Sequence, residues 1–370
     1  MRTMKRVFVC ITARPQYARL KSVLEAINNC PGLELYLDVA GSALIDKYGA
    51  IDKIIEKDGF FINDKLYFVT EGDVPLCMAN SAANLMLALT PILSKIKPEI
   101  VLVHADRYEQ LAIATAASFL NIPIAHTQGG EITGSVDDRV RNMITQIAKY
   151  HFVSTEKAAE RVKKLTDSDL IFETGCPSLD VIKKMSLKFE LDDPLPGVGM
   201  EIDFNKPYII VMFHPDTDHY DQTFEQTEGI IQAIIKLRYQ TIWFWPNIDA
   251  GNFGISDALR RFREKGFLGN VRFIKNMEPE NFIRLAYLSA GIIGNTSFGI
   301  REGAFLAIPY VCLGTRQRGR EHSDNTIYCN FSPDEIALSF MTQVKRPLEP
   351  SFLYGKGNSG EQIVRALMSY

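Results

Sequence analysis

The chain has 370 residues, too many for one compact core when a domain usually holds roughly 100 to 200, so two domains are expected. Its 41 Lys and Arg against 44 Asp and Glu leave a net charge of −3, which provides no field for nucleic acid or an anionic membrane and leaves any phosphate-bearing ligand to a local site. With 46% hydrophobic and 23% charged residues, disorder and collagen are excluded.

The best apolar run, Leu111 to Leu120, is interrupted by Thr115 and Ser118 and falls short of the roughly 18 to 20 residues of a bilayer span, so no membrane insertion is expected. The basic start is followed by an apolar run that Arg14 and Pro15 stop before a signal-peptide pattern develops. Cys10, Cys30, Cys77, Cys176, Cys312 and Cys329 lie far apart, with no CxxC pair and no His at ligand spacing. Neither zinc nor a disulfide framework is indicated, and a reducing cytoplasm is expected.

In chain order, short β-branched runs alternate with helix-compatible stretches, the mark of parallel βαβ units rather than of a sandwich or a bundle. Residues 6–12 read as a buried strand. Leu20, Val23, Leu24 and Ile27 then recur at i, i+3, i+4, i+7 spacing, which predicts a helix ended by Pro31 and Gly32. Further strands are predicted at 33–40, 65–69, 100–103, 122–126, 150–154 and 170–173. Between Leu187 and Pro207 the pattern lapses into Asp192, Asp193, Pro194, Pro196, Gly197 and Gly199, the composition of a linker. A second series follows, with strands at 208–213, 241–245, 271–274, 291–294 and 310–313. No internal repeat or low-complexity segment is present. The expected fold class is α/β, with two Rossmann-like doubly wound domains facing across a cleft: 1–187, a linker at 188–206, and 207–370, whose last helix can pack back on the first domain. Ligand loops of such sheets lie at the carboxyl ends of the strands.

No GxGxxG follows a predicted strand, and neither GxxxxGK[ST] nor the zinc-binding HExxH is present. The run from Gly294 to Gly299 comes close to a nucleophile elbow but has Asn295 where that turn needs Gly. It suits an anion better. Two hydroxyls, Thr296 and Ser297, precede a helix start, whose free N–H groups and dipole favour negative charge by roughly 0.3 to 2 kcal/mol; ordinary capping is the plainer alternative. Glu302 either complements that dipole or takes the two hydroxyls of a ribose. At the end of the 100–103 strand, Asp106 can accept a proton or stabilise a cation and Arg107 can hold part of a nucleotide, unless Asp106 merely caps the next helix. The loop from Gln128 to Asp137 carries Gly129, Gly130, Glu131 and Gly134; it is either a site or a turn with Asp137 as a cap. His214, before Pro215, can donate to a diphosphate or make a structural hydrogen bond. Arg316, Arg318 and Arg320 either grip phosphate or form a solvated loop.

Together, His104-Ala105-Asp106-Arg107, the run from His126 to Asp138, His214-Pro215 and the run from Gly294 through Glu321 resemble one family, the UDP-N-acetylglucosamine 2-epimerases in their hydrolysing branch. The similarity extends from Thr12-Ala13-Arg14-Pro15 to about Asn325. It implies two Rossmann-like domains arranged as in GT-B glycosyltransferases. It implies catalytic carboxylates at Asp106 and Asp137, with Glu131 lining the same pocket, Gln128 beside them, and His214 facing the leaving diphosphate. Thr296 and Ser297 would bind phosphate, Glu302 the ribose, Arg107 would lie by the uracil, and Arg14 and Arg316 would belong to the nucleotide site. The implied partner is a UDP-amino sugar, with no cofactor and no metal, in a cytoplasmic homo-oligomer (dimer or tetramer).

The reaction implied turns UDP-N-acetylglucosamine, or a close relative, and water into UDP and N-acetylmannosamine, the entry to sialic acids, through elimination to a glycal and hydration. Relatives act likewise on a 2,4-diacetamido-trideoxy sugar nucleotide. One departure stands out: members commonly carry a catalytic Glu two residues after the His, where this chain has Gln128. An amide does not exchange a proton near neutral pH, so the transfer falls to Asp106, Asp137 or Glu131, or else the substrate or reaction differs. A GT-B glycosyltransferase and a non-catalytic nucleotide-sugar binding protein are the rival readings.

Overall fold

In a computed structural model, which describes residues 4–134, 136–188, 195–246 and 249–369, the chain divides into two compact units. Unit 1 holds Met1–Glu131, Val136–Lys184 and Tyr354–Tyr370; unit 2 holds Ile132–Ser135 and Met185–Leu353. Both are α/β and both sheets are almost wholly parallel, as the alternating pattern predicts.

Unit 1 begins with β1 (Lys5–Ile11), α1 (Arg14–Asn28), β2 (Leu33–Ala40), α2 (Asp52–Lys57) and β3 (Lys65–Leu66). It continues through α3 (Pro75–Ile96), β4 (Ile100–His104), α4 (Tyr108–Phe119), β5 (Ile124–Thr127) and α5 (Val136–Ile147). β6 (Tyr150–Val153), α6 (Glu156–Leu165), β7 (Ile171–Glu173) and α7 (Ser178–Lys184) complete the series. The parallel sheet runs β3-β2-β1-β4-β5-β6-β7. The two-residue period of β1 builds both sides of the core. Val7, Val9 and Ile11 pack with Leu20, Val23, Leu24 and Ile27 of α1, while Phe8 and Cys10 face Leu85, Leu89 and Leu93 of α3 and the alanines of α4.

Unit 2 holds β8 (Val198–Gly199), β9 (Tyr208–Met212), α8 (Thr223–Leu237), β10 (Gln240–Phe244), α9 (Asn252–Glu264), β11 (Val271–Ile274) and α10 (Pro279–Leu288). Then come β12 (Gly291–Gly294), α11 (Ser297–Ile300), α12 (Glu302–Phe305), β13 (Tyr310–Leu313), β14 (Thr326–Cys329) and α13 (Pro333–Gln343). Its order is β14-β13-β12-β9-β10-β11-β8, with only β8 antiparallel. Within the stretch read as a linker, residues 189–194 lie outside the described residues, and Val198–Gly199 forms this edge strand rather than a free connector.

The last helix, α14 (Ser359–Ser369), belongs to unit 1. Its first N–H groups, from Ser359 and Gly360, donate to the two carboxylate oxygens of Asp180 at 2.8 and 2.7 Å, and Ile363, Ala366 and Leu367 join the α1 core. A correction concerns α3. The sequence reading found no apolar run of spanning length, yet α3 is long and apolar enough for one by length and composition, and most of it lies outside the core.

Buried titratable groups pull stability in opposite directions with pH. Asp38 on β2 is fully buried, and burial, then the Asp64 charge, push its carboxyl up to about 7. Its stabilising contribution is present below the ordinary carboxyl range and lost as pH rises through about 7. His126 and His151, pulled down by burial to about 4, do the reverse: their contribution is present above the ordinary imidazole value and lost as pH falls through about 4. Asp38→Asn keeps an acceptor for the Asp64 N–H that Asp38 now binds at 3.0 Å. It is expected to stabilise the protein at pH 8 by on the order of 2 to 4 kcal/mol and hardly at all at pH 4. Melting curves at the two pH values check this; an equal shift at both, or a fall at pH 8, contradicts it.

Candidate active site

In a doubly wound sheet the ligand lies beyond the carboxyl ends of the strands where the winding reverses. In unit 1 that place is between β1 and β4, which are neighbours although two strands, β2 and β3, lie between them in sequence. Arg14 opens α1 immediately after β1. It is half-buried, burial draws its guanidinium down to about 10, and it makes no hydrogen bond or ion pair with any described residue. It therefore stays charged at neutral pH and keeps its planar fork of donors for an anion.

After β4 the chain turns through Ala105 (φ +59°) into Asp106, and after β5 through Gln128 (φ +61°). Both non-glycine residues take the left-handed conformation, a strain that persists only where the surroundings enforce it. Here the strand ladders do so: Ala105 N–H donates to Thr127 O at 2.9 Å and Gln128 N–H to Phe152 O at 2.8 Å. His126, held neutral, places Nε2 2.8 Å from Ala105 O and Nδ1 3.2 Å from the Thr145 hydroxyl. Gly130 (φ +76°) must be glycine twice over, since a Cβ there would also run into the Ala158 carbonyl.

Arg141, one turn into α5 and 1% exposed, joins these loops. Its guanidinium pairs with the Asp106 carboxylate, with Asp138 at 2.6 Å, and with the main-chain carbonyl of Glu131 at 2.6 Å. One cation thereby connects the loop after β4 to the loop after β5. Glu131 is buried; Asp137 is half-buried in the first turn of α5. Gln128 is buried, its Nε2 donates to the Cys176 thiol at 3.0 Å, and its Oε1 meets no hydrogen-bond partner among the described residues. Arg107 is drawn elsewhere: both arms of its guanidinium hold the buried Glu109 carboxylate, at 3.0 and 2.9 Å.

In unit 2 the reversal falls between β9 and β12, neighbours in the sheet. His214 follows β9, and Asn295, Thr296 and Ser297 follow β12. Asn295 imitates a strand residue: Oδ1 accepts the His214 N–H and Nδ2 donates to His214 O, both at 2.8 Å. Gly294 allows this closeness, since a side chain there would strike the Met212 carbonyl. The Thr296 hydroxyl caps α11 by accepting Phe298 N–H at 3.3 Å. Because α11 is a single turn kinked into α12 at Arg301, it presents the N–H groups and hydroxyls of one turn rather than a long-helix dipole.

Glu302 opens α12, 3% exposed, and its Oε2 has no partner among the described residues. A buried carboxylate oxygen without a donor is costly unless a ligand supplies one. Arg316, in the loop after β13, donates to Asn295 O at 3.4 Å, and Gln317 Nε2 reaches the same oxygen at 3.1 Å.

The structure thus gathers Arg14, Asp106, Gln128, Glu131 and Asp137 on loops of unit 1, and His214, Thr296, Ser297, Glu302 and Arg316 on loops of unit 2. Sequence reasoning passed over Arg141, Asn295, Cys176 and His126. Arg141 was within reach, since it stands four residues after Asp137 and three after Asp138, the spacing of one helix face. Among the described residues no group of three or more His, Cys, Asp or Glu is arranged to hold a metal ion.

Two doubly wound units, each presenting polar loops at its reversal, define a two-domain Rossmann-like α/β protein. The family model described as UDP-N-acetylglucosamine 2-epimerase matches residues 25–368, so the chain belongs to that family. A relative from Legionella pneumophila, UDP-N,N'-diacetylbacillosamine 2-epimerase (hydrolyzing), is 30% identical over 98% of this chain and 95% of its own. Another from Campylobacter jejuni, GDP/UDP-N,N'-diacetylbacillosamine 2-epimerase (hydrolyzing), is 27% identical over 86% and 83%. Among solved structures, Methanocaldococcus jannaschii UDP-GlcNAc 2-epimerase in complex with UDP-GlcNAc and UDP shares the fold at a TM-score of 0.79 and 17% identity, covering 99% and 100% of the two chains.

Proposed function

We propose that the protein is a hydrolysing sugar-nucleotide 2-epimerase that converts a UDP-linked 2-acetamido sugar and water into UDP and the free 2-epimeric sugar. Family membership supports a UDP-sugar 2-epimerase. The observation that carries the finer reading is the set of carboxylates, Asp106, Glu131 and Asp137, on the unit 1 loops, with the Asp106 and Glu131 loops tied together by the buried Arg141. In this reading unit 2 holds the nucleoside diphosphate, through Thr296, Ser297, Arg316 and the Glu302 carboxylate on the ribose, and unit 1 holds the hexosamine, with Arg14 adding positive charge.

The hydrogen at C2 of such a sugar is not next to a carbonyl, so it becomes acidic only once the C1–O bond is breaking. As that bond breaks, its electron pair leaves with UDP and positive charge grows on C1 and the ring oxygen. Carboxylates stabilise that charge, while His214 and the N–H and hydroxyl groups at Ser297 stabilise the departing diphosphate. A carboxylate then takes the C2 proton, giving the glycal. Water adds with its hydroxyl at C1 and a proton at C2 from the opposite face, yielding the free manno sugar. The Gln128 amide does not take part in proton exchange, so Asp106, Asp137 or Glu131 performs it.

The names of the Legionella and Campylobacter relatives favour a particular substrate, a UDP-linked 2,4-diacetamido-2,4,6-trideoxyglucose, over UDP-N-acetylglucosamine. A panel of UDP- and GDP-amino sugars, with the released free sugar identified, tests both; turnover of none of them contradicts the proposal. A cytoplasmic setting and a homo-oligomer belong to the same reading.

Cys176 acts here as a positioning residue for Gln128. Its thiol lies 3.0 Å from both Gln128 Nε2 and the Ser178 hydroxyl, and its N–H donates to Tyr354 O at 2.7 Å. Cys176→Ala frees the amide to rotate and is expected to lower kcat roughly 10-fold with KM little changed, while Cys176→Ser, which keeps an acceptor, restores most of it. Equal kcat in all three proteins contradicts that role.

A further inference from the structure

We propose that Gln128, Ser154 and Thr174 form an amide-binding cradle at the carboxyl ends of β5, β6 and β7, and that it selects a second acetamido group, on C4 of the sugar. The three residues are 1%, 2% and 4% exposed. Gln128 Oε1, Ser154 Oγ and Thr174 Oγ1 have no hydrogen-bond partner among the described residues. Each such buried atom is costly unless something completes it, and here three occur on neighbouring strand ends.

The hydroxyls share one face of the sheet. Phe152 and Phe172, two residues before Ser154 and Thr174, stack with ring centroids 5.6 Å apart, both against the α1 core. The ladder continues past them, with Thr174 N–H on Val153 O at 3.0 Å, so the two-residue period of a strand sets Ser154 and Thr174 side by side on that face. Gln128 comes over from the next strand. Its N–H holds Phe152 O and its Nε2 reaches Cys176, beyond β7, at 3.0 Å. The side chain therefore crosses the end of β6, which lies between β5 and β7 in the sheet. With Nε2 engaged by the thiol, Oε1 is the atom left to accept.

One acceptor and two hydroxyl donors match a secondary amide, whose N–H and C=O point opposite ways. A ring hydroxyl ends at its oxygen, whereas an acetamido group carries its carbonyl further, to atoms buried below the loops. The position on the sugar rests on the reaction proposed above, in which C2 faces Asp106, Glu131 and Asp137 on the loops after β4 and β5. Adjacent strands lie about 4.8 Å apart, close to the separation of equatorial nitrogens on alternate ring carbons. A sugar with C2 at those carboxylates thus presents its C4 substituent one strand further on, at β6. Gln128, which does not exchange a proton, thereby selects the substrate. A buried water is the competing occupant of the same atoms.

The test compares UDP-2,4-diacetamido-2,4,6-trideoxyglucose with UDP-2-acetamido-2,6-dideoxyglucose, which differs only in its C4 hydroxyl. For the wild type, Ser154→Ala, Thr174→Val and the double variant, UDP release gives kcat/KM, calorimetry in the Asp106→Asn background gives Kd, and melting curves show that the fold is kept. Each single variant should weaken the 4-acetamido compound roughly 10-fold and the pair roughly 100-fold, with the 4-hydroxyl compound changed less than about 3-fold. Thr174→Ser, which keeps the hydroxyl, should match the wild type. Equal losses on both compounds, as loss of a structural water gives, or no loss on either, overturn the cradle, and so does binding of neither compound. Kd values that discriminate as expected in a protein that releases no UDP uphold the cradle and contradict the proposed reaction instead.

Discussion

Asp106→Asn is expected to lower kcat by about 10²- to 10⁴-fold, the usual contribution of a positioned acid or base, while the protein melts near its normal temperature. The substitution keeps the shape of the side chain and an oxygen for Arg141, which pairs with the Asp106 carboxylate. What disappears is the negative charge that, in the proposed reaction, steadies a developing oxocarbenium ion, and with it the capacity to hold a proton. Asp137→Asn, in the first turn of α5, should behave alike. Release of UDP, followed at saturating substrate, gives kcat. Near-native turnover in both variants removes the carboxylates from the mechanism.

The second large effect is on stability. Arg141→Met leaves a volume-filling side chain but strips the guanidinium from Asp106, Asp138 and the Glu131 carbonyl at once. Removing one member of a buried ion pair ordinarily costs about 3 to 5 kcal/mol. The carboxylates here are about a fifth exposed, 20% and 23%, so water compensates in part and the lower end, about 3 kcal/mol, is expected. Urea denaturation measures it. Turnover should fall with it, because the loops after β4 and β5 lose their common anchor. A variant as stable and as active as the wild type contradicts the anchoring role.

The fold was legible where burial dictated composition. Parallel strands covered on both faces need continuous β-branched runs, and Val7 to Ile11 and Ile292-Ile293 show them. Edge elements left no such trace. β8 has two residues, too few for any period, and is held in part by Arg272, which donates to Pro196 O at 3.2 Å and Gly199 O at 3.4 Å. β14 (Thr-Ile-Tyr-Cys) at the other edge has two of its four residues only half-buried, presents no continuous apolar run, and was missed too.

The site was legible as loops and not as contacts. Polar residues beyond strand ends pointed to Asp106, Gln128 and His214, because connectors there are the ligand loops of such sheets. Asn295 registered only as a failed nucleophile elbow, since its work, bridging the His214 N–H and C=O, depends on two strands meeting 81 positions apart. Cys176 carried no signal at all: a lone cysteine gains meaning only when Gln128 is found against it. Arg107 shows the converse, since its pairing with Glu109 two residues on was open to reading from the sequence.

The central claim, that the anomeric bond breaks before the C2 hydrogen is lost and that water ends the reaction, is tested most directly by running it in heavy water and following the sugar by NMR. The account predicts UDP and a free 2-epimeric sugar fully deuterated at C2. A product that keeps its original hydrogen at C2, or one still linked to the nucleotide, contradicts it.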